Sequence, residues 1–108
     1  MADDYLIVLC TCPDQDTGKS IAESVVNEGL AACINILPGL TSIYRWQGEL
    51  QTGTEVLLMI KTLQTQYPKV EKALKALHPY ELPEIIAVPI TAGFTPYLNW
   101  ITECCQNQ

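Results

Sequence analysis

Five apolar residues in succession, Val56-Leu57-Leu58-Met59-Ile60, run through the middle of the stretch Thr54–Thr62. Side chains alternate between the two faces of a strand, so an unbroken apolar run demands cover on both sides. The stretch before it, Ala31–Trp46, is rich in β-branched and aromatic residues and reads as the outgoing arm of a long hairpin. Alternation in that arm is clear only near the tip, where Ile43, Arg45 and Gln47 interleave with Tyr44 and Trp46. The polar connection between Trp46 and Glu55 holds Gly48 and Gly53. Pro38-Gly39 inside the outgoing arm predicts a bulge or bend there and an edge position for that strand.

The rest of the chain arranges itself around this hairpin. Tyr5–Cys10 is a first strand, nearly all apolar and therefore central, ended by Thr11-Cys12-Pro13. Asp14 or Asp16 caps a helix in which Ile21, Ala22, Val25 and Val26 recur at helical spacing, and Gly29 stops it. After the hairpin, Thr65 is the expected cap of a second helix, with Pro68 in its first turn and Tyr67, Val70, Leu74 and Leu77 as its buried stripe. His78-Pro79 closes it. A fourth strand follows over 84–90, marked as an edge by Pro83 and Pro89, and Thr95-Pro96 opens a short last helix.

The order is β-α-β-β-α-β plus a terminal helix, an α+β chain of the ferredoxin-like type. Two helices cover one face of such a sheet and leave the other bare. At 108 residues the chain, read as one domain over 1–108, has room for one core. With 48% hydrophobic and only 17% charged residues, it holds more apolar material than one small domain hides. Association of several subunits through the bare face is the economical solution, and resistance to heat should accompany it.

Six Lys/Arg against twelve Asp/Glu give a net charge of −6, which disfavours nucleic acid and anionic membrane surfaces as partners. No apolar run approaches the ~18 residues of a membrane span, and Met1-Ala2-Asp3-Asp4 is acidic, unlike a signal peptide. Five cysteines, an odd number without a spaced framework, point to free thiols in a reducing cytoplasm.

Thr17-Gly18-Lys19-Ser20 has the ending of a phosphate-binding loop, but the glycine required five places before Gly18 is Pro13. The segment reads as the first turn of a helix. Cys10-Thr11-Cys12 has one intervening residue where zinc sites commonly have two, and no second pair follows at finger spacing. Cys10 and Cys33 are either small core hydrophobes or soft-metal ligands. His78, the lone histidine, is either a C-terminal cap or a ligand. Topology sharpens the second choice. Strands one and two run up, strands three and four run down, and the second helix runs up, so Cys10, the hairpin tip and His78 share one end. A thiolate, an imidazole and a carboxylate there (Cys10, His78, Glu55) suit copper or zinc better than magnesium or calcium. Such ligands bind deprotonated, so affinity falls in acid. Tyr44, Trp46 and Tyr80 gather at the same end, as walls of a site or as interface packing.

With these residues assembled, the chain resembles the CutA family, the small divalent-cation tolerance proteins, from about residue 5 to 102. The resemblance rests on Leu9-Cys10-Thr11-x-Pro13-Asp14, Leu30-Ala31-Ala32-Cys33, Leu37-Pro38-Gly39-x-Thr41-Ser42-x-Tyr44-x-Trp46-x-Gly48, Lys61-Thr62, His78-Pro79-Tyr80-x-x-Pro83-Glu84 and Tyr97-Leu98-x-Trp100. It implies a homotrimer built like the PII signalling proteins, and binding of copper and other divalent ions with no organic cofactor. The family's suggested copper ligands fall on Cys10 and His78. Some members carry a second histidine where this chain has Leu77, which implies a weaker or differently built metal site here. The residues of the family's clefts between subunits of the trimer fall on Tyr44, Trp46, Glu55, Lys61, Tyr80 and Glu84. A second function stays open beside metal tolerance: a trimeric sensor or scaffold whose clefts hold a small molecule or a partner protein. An enzyme is disfavoured, because acylphosphatases of similar topology need an arginine after strand one, and Thr11–Ser20 has none. Cys104 and Cys105, adjacent near the terminus, are thiols that could capture copper adventitiously.

Overall fold

The described residues, 5–105 of a computed structural model, form a mixed α+β fold; the acidic Met1–Asp4 segment lies outside them. The elements are β1 (Tyr5–Cys12), α1 (Gln15–Asn27), β2 (Cys33–Trp46), β3 (Glu49–Leu63), α2 (Tyr67–Leu77), β4 (Ile85–Pro89) and α3 (Thr95–Cys105), with a 3-10 turn at Gln64–Gln66. The sheet order is β2-β3-β1-β4, every neighbouring pair antiparallel. This is the ferredoxin-like arrangement, with β2 and β4 at the edges as their prolines require.

β3 carries the constraint set by its apolar run. Val56, Leu58, Ile60 and Thr62 are buried, while Leu57, Met59, Lys61 and Leu63 between them are only half-buried. Val56, Leu58 and Ile60 lie beneath α1 and α2 in one core with Val8, Cys10, Cys12, Ile21, Val25, Val70 and Leu74. The register places Ile7 and Leu9 of β1 beside Lys61 and Met59, and Val88 and Ile86 of β4 beside Ile7 and Leu9. These residues form the opposite face, where Ile86 is 52% and Val88 42% exposed. Among the described residues, one face of the sheet is therefore apolar and left uncovered.

Beyond the body, β2 and β3 continue as a two-stranded arm, since β1 pairs with β3 only from Val56 to Leu63. The arm stretches the molecule to 44 × 25 × 22 Å. Its turn is two residues long, Gln47 and Gly48, both at positive φ (51° and 81°), as a right-twisted hairpin favours. Gly53, expected in the connection, instead pairs with Ser42 inside the strands. The bulge expected at Pro38-Gly39 is present, with one extra β2 residue between Leu37 and Leu40 and Gly39 at φ 76°.

Asp14 caps α1, accepting the Thr17 N–H at 2.8 Å. Gly18 lies in the first turn of α1, its N–H donating to the Asp14 carbonyl. A side chain there would meet Val56 at 3.1 Å and Leu58 at 3.3 Å. Gly18 thus serves close helix–sheet packing. Two expectations for α2 fail. Its cap is Gln66, reached through the 3-10 turn, so Thr65 lies inside that turn and caps nothing. Leu77 is exposed, because the chain leaves the helix at His78 before that turn meets the sheet. Val70 and Leu74 carry the burial. Replacing Leu74 by Ala is expected to destabilise the protein by about 2–5 kcal/mol, measured by urea denaturation at fixed protein concentration.

Candidate metal centre and cleft

β1 brings two thiols to one face. Cys10 and Cys12 stand two residues apart on an extended strand, so both side chains enter the helix-covered core, where each is fully buried. α2 ends above them. His78, the residue that closes this helix, is also buried, and its donor atoms lie with both sulfurs within 4.8 Å of one another. Cys10 and His78, 68 positions apart in the chain, are thus neighbours. Cys12 is the third member, which the motif spacing discounted; strand alternation was the signal that could have found it.

The imidazole is held at both nitrogens. Nδ1 accepts the Tyr80 backbone N–H at 3.1 Å, so Nε2 carries the proton and donates to the Thr11 carbonyl at 2.7 Å. Thr11 separates the two cysteines, and this bond fastens the end of α2 to the strand that carries the thiols. The sulfur–sulfur hydrogen bond, burial and the carboxylates of Glu84 and Glu55 all push the Cys10 thiol up. The same bond favours the Cys12 thiolate and pulls that thiol down against the effect of burial.

Beside this cluster lies a cleft of about 580 Å³, lined by Thr11, Tyr44, Trp46, Glu55, Tyr80 and Glu84, with Arg45 at its wall. Five of the six residues expected at a cleft between subunits line this cleft within one chain. Lys61 is not among them; it sits farther along β3, opposite Cys33 and Ile7, and donates to Asn35. Glu55 belongs to the root of the arm, paired with Leu40, and accepts the Tyr80 hydroxyl at 2.7 Å. Tyr80 in turn lies against the His78 ring, centroids 4.6 Å apart. Cluster and cleft are therefore mechanically joined through Thr11, His78 and Tyr80. All five cysteines are free thiols. Cys105 is not a loose terminal thiol, since it is fully buried in α3 against Tyr5, Ala32 and Ile101.

The donor set fits a soft or borderline transition metal, two sulfurs and an imidazole converging in a dry core. The family described as CutA1 divalent ion tolerance protein matches residues 6–104. The chain belongs to the CutA family. It is 52% identical to the divalent-cation tolerance protein CutA of Thermus thermophilus, over 90% of this chain and 94% of that one. It is 43% identical to the chloroplastic protein CutA of Arabidopsis thaliana, covering 94% of this chain but only 56% of that longer one. The crystal structure of CutA from Xylella fastidiosa superposes with a TM-score of 0.92 at 43% identity, over 94% of this chain and 98% of that one. The fold is thus the PII-like, ferredoxin-like fold of CutA proteins. The family is named for tolerance of divalent cations and not for a catalysed reaction. Among the described residues no helix is long and apolar enough to cross a membrane.

Tyr80 offers a direct probe of the cleft. Burial, then the hydrogen bond to Glu55 and its charge, push the phenol above its ordinary value of about 10. A raised folded-state pKa stabilises the fold below the unfolded value and loses that contribution as pH rises through the folded one. Ultraviolet titration of the protein against its Tyr80→Phe variant is expected to show this phenol ionising later than an ordinary tyrosine. Glu55→Gln is expected to bring it back toward the ordinary range.

Proposed function

We propose that this chain is one CutA-type domain, over 1–108, acting in divalent-cation tolerance by binding copper and other divalent ions through Cys10 and His78. The observation that carries this reading is the convergence of Cys10, Cys12 and His78 in one buried cluster. Copper is favoured over zinc, and both over magnesium, by ligand softness and the stability order of divalent ions. His78 reaches an ion by giving up one of its two backbone hydrogen bonds. The metal is the cargo, and no organic cofactor or catalysed step is part of the reading. Five free thiols fit a cytoplasmic setting. In titrations followed by competition with a chromophoric chelator, Cys10→Ser is expected to lower copper affinity at least about 10-fold. Unchanged affinity would remove the metal reading.

The working form is a homotrimer. Support comes from the uncovered face of Ile7, Leu9, Met59, Ile86 and Val88, and from the two-stranded arm. Ile43 and Leu50 on that arm are 67% and 69% exposed. An isolated two-stranded hairpin is marginal in water, so the arm needs a neighbour to rest on. Light scattering is expected to return three times the subunit mass of 12.0 kDa. A stable monomer at micromolar concentration would overturn the assembly.

A second reading has its own observation, the cleft between the arm and the His78–Glu84 loop. Its aromatic walls and charged groups suit a small molecule or a partner's loop. In that case the trimer is a PII-like sensor or scaffold, and metal binding is incidental to it.

A further inference from the structure

We propose that Cys12 joins Cys10 as a thiolate pair that captures copper in its cuprous state, with His78 acting as a positioning residue for the strand that carries them. The proposal rests on the metal-binding reading and changes its ligand set, with Cys12 taking the place given there to His78.

Four observations converge. First, strand alternation sends both sulfurs into the same dry core, with Gly18 of α1 so close that a side chain there would lie 3.9 Å from the Cys12 Cβ. Second, the sulfurs lie within 4.8 Å of one another. Metal–thiolate bonds run about 2.3 Å, so two sulfurs no farther apart than these can both reach one ion. Third, the imidazole is spent on backbone: Tyr80 N–H holds Nδ1 and the Thr11 carbonyl holds Nε2. Two sulfurs are therefore free to bind while His78 keeps its bonds. Fourth, among the described residues no carboxylate joins the three donor atoms within that distance. Zinc sites take four ligands, whereas soft thiolates select Cu(I), which is content with two.

A disulfide is the competing use of two adjacent thiols, and strand geometry opposes it. Extended residues two apart hold their Cα atoms about 6.6 Å from each other, near the far limit of disulfide geometry, with Cβ atoms directed in parallel. An ion bridges that gap where a sulfur–sulfur bond strains it. In the binding step two Cu–S bonds form, the protons on the sulfurs leave to solvent, and no electron is transferred, because copper arrives already reduced. Thr11 lies between the two cysteines and also lines the cleft, so the cleft adjoins the strand that carries the pair.

The test uses the full chain with the half-buried thiols Cys33 and Cys104 changed to Ser, leaving the buried Cys105 in place. Cu(I) is titrated without oxygen against bicinchoninate, with circular dichroism confirming each fold. Cys12→Ser and Cys10→Ser are each expected to weaken Cu(I) at least about 100-fold, and His78→Ala no more than about 10-fold. If Cys12→Ser binds as its parent does while Cys10→Ser or His78→Ala loses copper, the thiolate pair is wrong and the metal reading survives. If all three bind as the parent does, both readings fall. Copper-edge X-ray absorption of the loaded parent needs no variant at the site. A cuprous edge with two sulfur neighbours is expected, and a cupric or nitrogen-dominated ion would overturn the pair.

Discussion

Everything in this molecule is arranged around the need to cover β3 on both sides. Leu58 and Ile60 face α1 and α2 and reach complete burial inside the subunit. Leu57 and Met59 face the other way and remain half-exposed. No rearrangement of a ferredoxin-like chain supplies a second helical layer, since both crossovers lie on one side of the sheet. The apolar second face is therefore a property of the topology, and neither crossover helix of the chain covers it. The hairpin arm has the same character: its strands pair with each other and with nothing else in the subunit.

The second organising element is smaller. A buried imidazole must find partners for both nitrogens, and His78 finds them in the backbone on either side of the molecular joint, Thr11 on β1 and Tyr80 in the loop before β4. That pair of bonds fixes where α2 ends relative to the sheet. It also sets the thiol cluster and the cleft in one frame, since Tyr80 continues to Glu55 at the root of the arm. A change at the cleft has a short covalent and hydrogen-bonded route to the cysteines. Metal binding and ligand binding in the cleft are for that reason two readings of adjoining space.

The element order, edge strands, bulge and α1 cap were legible in the chain because each has a local cause. Apolar runs require burial, prolines exclude themselves from central strands, and Asp14 satisfies an N–H three residues on. Where the reading failed, a non-local cause won. Thr65 is a good cap by type, but the chain enters α2 through a 3-10 turn at Gln64–Gln66. Leu77 fits the stripe by spacing, but the helix stops where the sheet no longer lies beneath it. Gly53 resembled a turn residue, yet strand pairing continued through it to Gln47 and Gly48.

The candidate site divides along the same line. By itself the sequence determined which chemistry is available: one imidazole, a few soft sulfurs, and aromatic and acidic residues gathered near the hairpin and the 78–84 loop. Residue type and strand direction sufficed to place Cys10 and His78 at a common end. Only the tertiary structure decided that Cys12 stands beside them and that both imidazole nitrogens are already engaged. It alone placed Lys61 apart from the cleft that holds Tyr44, Trp46, Glu55, Tyr80 and Glu84. The reason is geometric. Donor type is written in each residue, whereas a separation of a few ångströms between groups 68 positions apart is the outcome of where the end of α2 meets β1, through the His78–Thr11 hydrogen bond.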